Sequence, residues 1–274
     1  MIKREDITII IPHFGASPES EYAFEQCIQS LDETEPTIKK VVVKNGPVCK
    51  HHGDIVTDPQ GQCRAVNEGV KLTKTPWIMV TNDDMIYPPG WFEKLTDISW
   101  FGEKEPLCVS PMLVEPRPGA PTFYTHFCGG AGGDFNKEKF LDFAKEWNVA
   151  TPNKWRTGFN LPFIIKRELW DVIGGYDEKY DPWSSNSDSC LEYCIRLAGV
   201  QPYQNKNAVV YHFSQTSGTF EPRNQSYWQK NWQYFIDKWG FPRTDEGIWE
   251  ANFKIPLDQL KFNPEWKGKY GEIN

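Results

Sequence analysis

No stretch of this chain is long and apolar enough to cross a bilayer. The opening Met1-Ile2-Lys3-Arg4-Glu5-Asp6 leads directly into Ile7–Ile11, five residues where a spanning helix needs about twenty. No secretory or transmembrane segment is therefore read, and the expectation is a cytoplasmic protein. Basic excess is missing too. The 274 residues carry 30 Lys and Arg against 37 Asp and Glu, a formal charge of −7, and this argues against a protein whose main task is wrapping a phosphate backbone. The seven cysteines have neither a pairing framework nor two-pair metal spacing, which fits reduced thiols. Internal repeats, low-complexity tracts and a clear linker are absent as well.

What is present is an alternation of strand and helix signals, the pattern of an α/β fold with a mostly parallel sheet covered by helices. Strands are expected at Ile7–Ile11, Lys40–Val43, Asp54–Val56, Trp77–Val80, from Leu107, at Leu161–Ile165 and at Ala208–Phe213. Helices are expected at Glu21–Asp32, Gln62–Leu72, near Gly90–Thr96, and at Asn136–Trp147, Arg167–Ile173, Ser189–Ala198 and Asn224–Trp239. Pro116–Gly133 reads as loop. Aromatics are the compositional oddity: of twelve tryptophans, Trp228, Trp232, Trp239, Trp249 and Trp266 follow residue 220. Trp228, Trp232, Phe235 and Trp239 fall at helical spacing, so that face is expected to pack on the main domain. The division expected is a domain over 1–216 and a C-terminal helical extension over 217–274.

The chemistry-bearing residues cluster behind the fourth expected strand, where Asn82-Asp83-Asp84 follows Ile78–Val80. Ligands of open α/β sheets bind at the carboxyl ends of strands, and carboxylates there can hold a divalent cation that bridges a diphosphate. Acidic residues after a strand also serve as plain turn formers.

The longer string Ile78–Trp91, with its acidic triplet and its Pro-Gly-Trp turn, resembles the family 2 glycosyltransferases. Four further stretches agree in order: Gly61–Gly69, Leu161–Glu178 with its Gly-Gly-Tyr-Asp-Glu turn, Asn186–Gly199, and Val210–Thr216. The resemblance covers roughly residues 7–216. It implies a GT-A-type, Rossmann-like three-layer sandwich and transfer of a sugar from a nucleotide-sugar donor (UDP-, GDP- or dTDP-linked) to a saccharide or other hydroxyl acceptor, by inverting displacement.

It also implies roles. Asp84 and His212 would bind Mn2+ or Mg2+, the imidazole tilting the choice toward Mn2+. Asp188 would be the base that deprotonates the acceptor; its position before a helix also suits N-capping. Pro12, Phe14, Lys44, Asn45, Arg64, Asn82 and Asp83 would meet the donor, and Gly175, Tyr176 and Trp183 the acceptor. Two positions depart from the family pattern: Ser187 stands where a Glu usually precedes the base, and Lys44-Asn45 where an Asp is typical. Two other readings remain open at this stage: sugar transfer to hydroxymethylated bases of phage DNA, and a non-catalytic nucleotide-sugar-binding protein.

Overall fold

The computed structural model describes residues 2–15, 17–45, 55–56, 61–102, 105–117, 123–149, 154–214, 216 and 221–240. The tail beyond 240, with Trp249 and Trp266, lies outside the described residues, as do Asp54 and part of the Pro/Gly-rich loop.

The first strand, β1 (Ile7–His13), is buried along its whole length. It pairs in parallel with β2 (Lys39–Lys44) and β4 (Trp77–Val80), and β2 pairs in parallel with β3 (Ile55–Val56). β9 (Phe163–Lys166) runs antiparallel to both β4 and β6 (Cys108–Glu115). β10 (Tyr203–His212) then lies parallel to β6 and carries the short antiparallel β5 (Met85–Ile86). The sheet order is β3-β2-β1-β4-β9-β6-β10-β5, with β7 (Phe123–Thr125) and β8 (Trp155–Thr157) beside β6 and β10. It is a mixed α/β fold with a mostly parallel central sheet, as the alternation of signals indicates.

The two-residue side-chain period assigns the core. Ile10, Ile78, Val80, Phe163 and Ile165 point to one face, where they meet α2 (Gln62–Lys71), α5 (Arg167–Ile173), α6 (Ser187–Leu197) and α7 (Gln225–Trp239). Ile9, Ile11, Met79 and Ile164 point to the other, against α1 (Pro18–Thr34) and α3 (Trp91–Thr96). These are the three layers. A third cluster packs α4 (Lys137–Glu146) through Phe140 on Met112, Val114 and Tyr211.

α7 docks differently from its tryptophan spacing. Phe235 and Trp239 are buried, but the rest of the buried stripe is Asn231 and Lys238, and Trp228 and Trp232 are only half-buried. Asn231 donates to the Tyr180 carbonyl, and Lys238 Nζ sits 2.8 Å from Asp177 Oδ2 with neither side chain appreciably exposed. Polar partners on the domain select this face of α7, which an apolar count over the helix does not detect. The short strands β5, β7 and β8 also escape the sequence reading, because two or three residues carry too little periodicity.

Candidate functional site

The carboxyl ends of β1, β4 and β10 converge on a cleft of about 110 Å³ lined by Pro12, Phe14, Asn45, Gly61, Gln62, Asn82, Asp83, Asp84, Pro182, Trp183, Ser184 and Thr216.

Each carboxylate of the triplet meets a histidine from a neighbouring strand end. His13, wholly buried and stacked on Phe24, contacts Asp83 Oδ2 at 2.7 Å through Nδ1 and lies 3.4 Å from Glu21 through Nε2. Asp83 Oδ2 also accepts from the Phe14 amide. On the other side, His212 Nε2 lies 3.3 Å from Asp84 Oδ1, and His212 Nδ1 lies 2.7 Å from Glu115 Oε1. The Thr216 hydroxyl donates to Asp84 Oδ2.

These neighbourhoods push the two carboxyls apart. Burial raises Asp83 above the ordinary range despite its contact with His13. Burial also works against ionising Asp84, but His212 and Thr216 outweigh it and hold Asp84 below that range. Burial opposes charge on His212 too; Asp84 and Glu115 overcome it and push the imidazole up to about 10.

No group of three or more His, Cys, Asp and Glu with metal-holding geometry occurs among the described residues. The pair Asp84–His212 nevertheless fits a divalent cation. Asp84 Oδ1 is buried without a hydrogen-bond partner and faces the imidazole nitrogen. A carboxylate oxygen and an imidazole suit Mn2+ or Mg2+, with phosphate oxygens and water left to complete the shell.

The cleft's opposite wall is a loop joined to α2. Asp181 accepts from the backbone amides of Cys63 and Arg64, at 3.1 and 2.9 Å, and so closes the amino end of α2 from outside the helix. Gly61 makes this approach feasible. Its φ is +105°, and a Cβ there would run into the Asp181 carboxyl and come within 2.6 Å of the Pro182 carbonyl. Beyond Asp181, the Trp183 ring meets Phe14 edge-on at 5.8 Å across the cleft. The positive-φ non-glycine residues among those described, Ser184, Asn186 and Ser214, all flank this site. Backbone held in that region is disfavoured by of order 1–3 kcal/mol per residue and tends to gather where function over-determines it.

Asp188 lies in the first turn of α6, whose N-cap is Asn186. It is half-buried, is not among the residues lining the cleft, and its Oδ1 accepts from the Tyr176 hydroxyl at 2.9 Å. Of the residues singled out in the sequence, Pro12, Phe14, Asn45, Asn82, Asp83, Asp84 and Trp183 meet in the cleft, and His212 joins them through Asp84.

Besides Asp188, four others lie away from it. Arg64 is exposed and pairs with Glu68, its i+4 neighbour, because its place on α2 directs it outward. Lys44 stands beside His13 in the β1–β2 register without reaching the cleft. Tyr176 is 1% exposed, so its ring is closed to an acceptor and its hydroxyl serves Asp188 instead. Gly175 is packed against Asn67 and Trp170, with φ +72°. Residues that the sequence reading left without a role are His13, Glu115, Thr216 and Gln62, the last donating to Asn82 Oδ1. His13 and Glu115 each close a strand whose other residues are almost all apolar, and that was the available signal.

Residues 8–111 match the family model described as Glycosyl transferase family 2. No curated protein matches the sequence. Among solved structures, GalNAc-T7 with UDP, GalNAc and Mn2+ superposes with a TM-score of 0.52 at 14% identity, over 75% of this chain and 43% of that one. The mannosyltransferase PcManGT from Pyrobaculum calidifontis, in complex with GDP-Man and Mn2+, gives 0.52 at 16% identity over 84% and 64%. The chain thus spans less than two thirds of either relative. Residues 8–111 are thus similar to glycosyl transferase family 2, and the chain is built on the GT-A fold of these glycosyltransferases.

Proposed function

We propose that this protein transfers a sugar from a nucleoside diphosphate donor to a hydroxyl acceptor with the help of a divalent cation, Mn2+ or Mg2+. The observation that carries the reading is the charge of the cleft. Two aspartates line it, and no Lys or Arg does so among the described residues; the charge facing them is the His212 imidazole, which pairs with Asp84 and leaves Asp83 to repel an anion. A diphosphate brings at least two negative charges. Placed beside Asp83 and Asp84 it would be repelled, unless a dication held by Asp84 and His212 stood between them. Bound there, the cation would neutralise the charge that grows on the departing diphosphate.

The chain's own residues supply the rest. Phe14 and Trp183 offer aromatic faces at the mouth for a base or a sugar ring. Asn45, buried and with Oδ1 unpartnered, offers an acceptor to a donor N–H or hydroxyl. Asp188 takes the acceptor proton, with Tyr176 fixing its carboxylate, and displacement proceeds with inversion. Both relatives were solved with Mn2+ and a nucleotide or nucleotide sugar, which supports the donor class.

The test is a thermal-shift panel of UDP-, GDP- and dTDP-sugars with and without Mn2+, followed by turnover with saccharide acceptors. A binding donor raises the melting temperature only in the presence of the cation. Donor binding that is indifferent to EDTA would refute the reading. Tight cation-dependent binding without hydrolysis or transfer would convert it to a nucleotide-sugar-binding protein.

A further inference from the structure

Two neighbouring strands, β6 and β10, and the residue just before β5 bring three polar side chains side by side. In the parallel pairing of β6 with β10, Val114 is opposite Tyr211, so Glu115 and His212 are the next residues along. In the antiparallel pairing of β10 with β5, His212 is opposite Met85, and the Phe213 amide donates to the Asp84 carbonyl, which brings Asp84 within one residue of His212. The three run Glu115, His212, Asp84, with contacts of 2.7 and 3.3 Å. Glu115 is 8% exposed and is not part of the cleft lining, so no ligand in the cleft meets it directly.

A carboxylate can only accept. Facing Nδ1, it keeps a proton on that nitrogen, so that when a bound cation displaces the other ring proton the lone pair set free is the one on Nε2. Nε2 is the atom that faces the unpartnered Asp84 Oδ1. We propose that Glu115 is a positioning residue: by fixing the proton of His212 on Nδ1 it aims Nε2 and Asp84 Oδ1 at one point, and so completes the cation site. The inference rests on the cation-dependent reading above and deepens it. Outer partners of ligating histidines act this way by holding the ring and raising its basicity, and their loss weakens metal binding by about 10–100-fold.

The test measures Mn2+ affinity of the whole chain by electron paramagnetic resonance of the free ion, alone and with UDP or GDP. Glu115→Gln removes the acceptor-only constraint, since the amide can either donate to or accept from Nδ1. It is expected to weaken Mn2+ binding by at least tenfold. In a His212→Ala background the same substitution is expected to change the affinity by less than twofold, because there is no ring left to orient. A merely structural Glu115 would act alike in both backgrounds. If Glu115→Gln does not fold, Glu115→Asp replaces it, with a smaller loss that again vanishes without His212. Wild-type affinity retained by a folded Glu115 variant overturns this inference alone. A wild-type protein that binds no Mn2+, with or without nucleotide, overturns the cation reading and this inference with it.

Discussion

Lys238→Met is the most informative perturbation of stability, because it removes a charge and keeps the stem. Lys238 is fully buried on α7, and Asp177, its 2.8 Å partner, lies in the Gly174–Glu178 turn between α5 and α6. Breaking a buried ion pair by deleting one member costs about 3–5 kcal/mol, since the other charge is left without compensation. Asp177 keeps some help, as Oδ2 still accepts from the Tyr234 hydroxyl and Oδ1 from the Lys179 amide. The lower end of that range is therefore expected. At about 2 °C per kcal/mol for a chain of this size, the melting temperature falls by about 6–8 °C at pH 7.

The pH dependence adds an independent check. Burial disfavours the Asp177 carboxylate, but Lys238 and Tyr234 more than offset this and hold its pKa below the ordinary value. A depressed carboxyl stabilises the fold above its unfolded pKa of about 4, and that contribution is lost as pH falls through the folded value. In Lys238→Met the same carboxyl, now without its cation, shifts upward and favours the protonated form. The gap between wild type and variant, followed by differential scanning calorimetry, should therefore narrow from pH 7 toward pH 4. Asp177→Asn combined with Lys238→Met should cost less than the sum of the two single changes. A Lys238→Met protein melting within 2 °C of wild type at pH 7, or a gap that widens in acid, would refute the argument.

Other substitutions separate the proposed roles. Asp84→Asn should abolish the Mn2+-dependent part of nucleotide binding, read by calorimetry with and without EDTA. Asp188→Asn should retain donor binding and lower kcat by about a hundredfold or more, the scale of a lost general base; normal turnover would remove Asp188 from that role. Tyr176→Phe, which deletes only the hydroxyl bonded to Asp188, should lower kcat by less than Asp188→Asn does and leave donor affinity unchanged in the same titration. Trp183→Ala should raise KM for donor or acceptor with little change in melting temperature, because the ring is only half-buried.

The long elements were legible because burial imposes a period. Ile7–Ile11 and Trp77–Val80 could scarcely be anything but inner strands, and the structure extends β1 only to include Pro12 and His13. The Asp84–His212 approach was foreseeable only through the resemblance, since 128 positions separate them and no local pattern records that β10 returns beside β5. Glu115 and His13 were missed for the same reason. Their partners are on other strands, and a polar residue closing an apolar strand looks like any strand end. Arg64 and Tyr176 show the opposite failing. Motif position fixed the neighbourhood, but the turn of a helix and the depth of a ring decided which way each side chain faced. Lys238 also ran against composition, since a lysine on an amphipathic helix is ordinarily placed in water.

The Asp181 clasp on α2 has a bearing on substrate size. Trp183 and Ser184 line the cleft two and three residues after a carboxylate that holds two amides of a neighbouring helix. Drawing that wall outward would strip both amides of their acceptor, at about 1.5–3 kcal/mol for each bond to a charged group. The two aromatic rings already touch edge-on, so a guest that parts them by moving this wall must recover that cost from its own contacts. The aperture therefore works as a gauge, and the helix it is fastened to sets how stiff that gauge is.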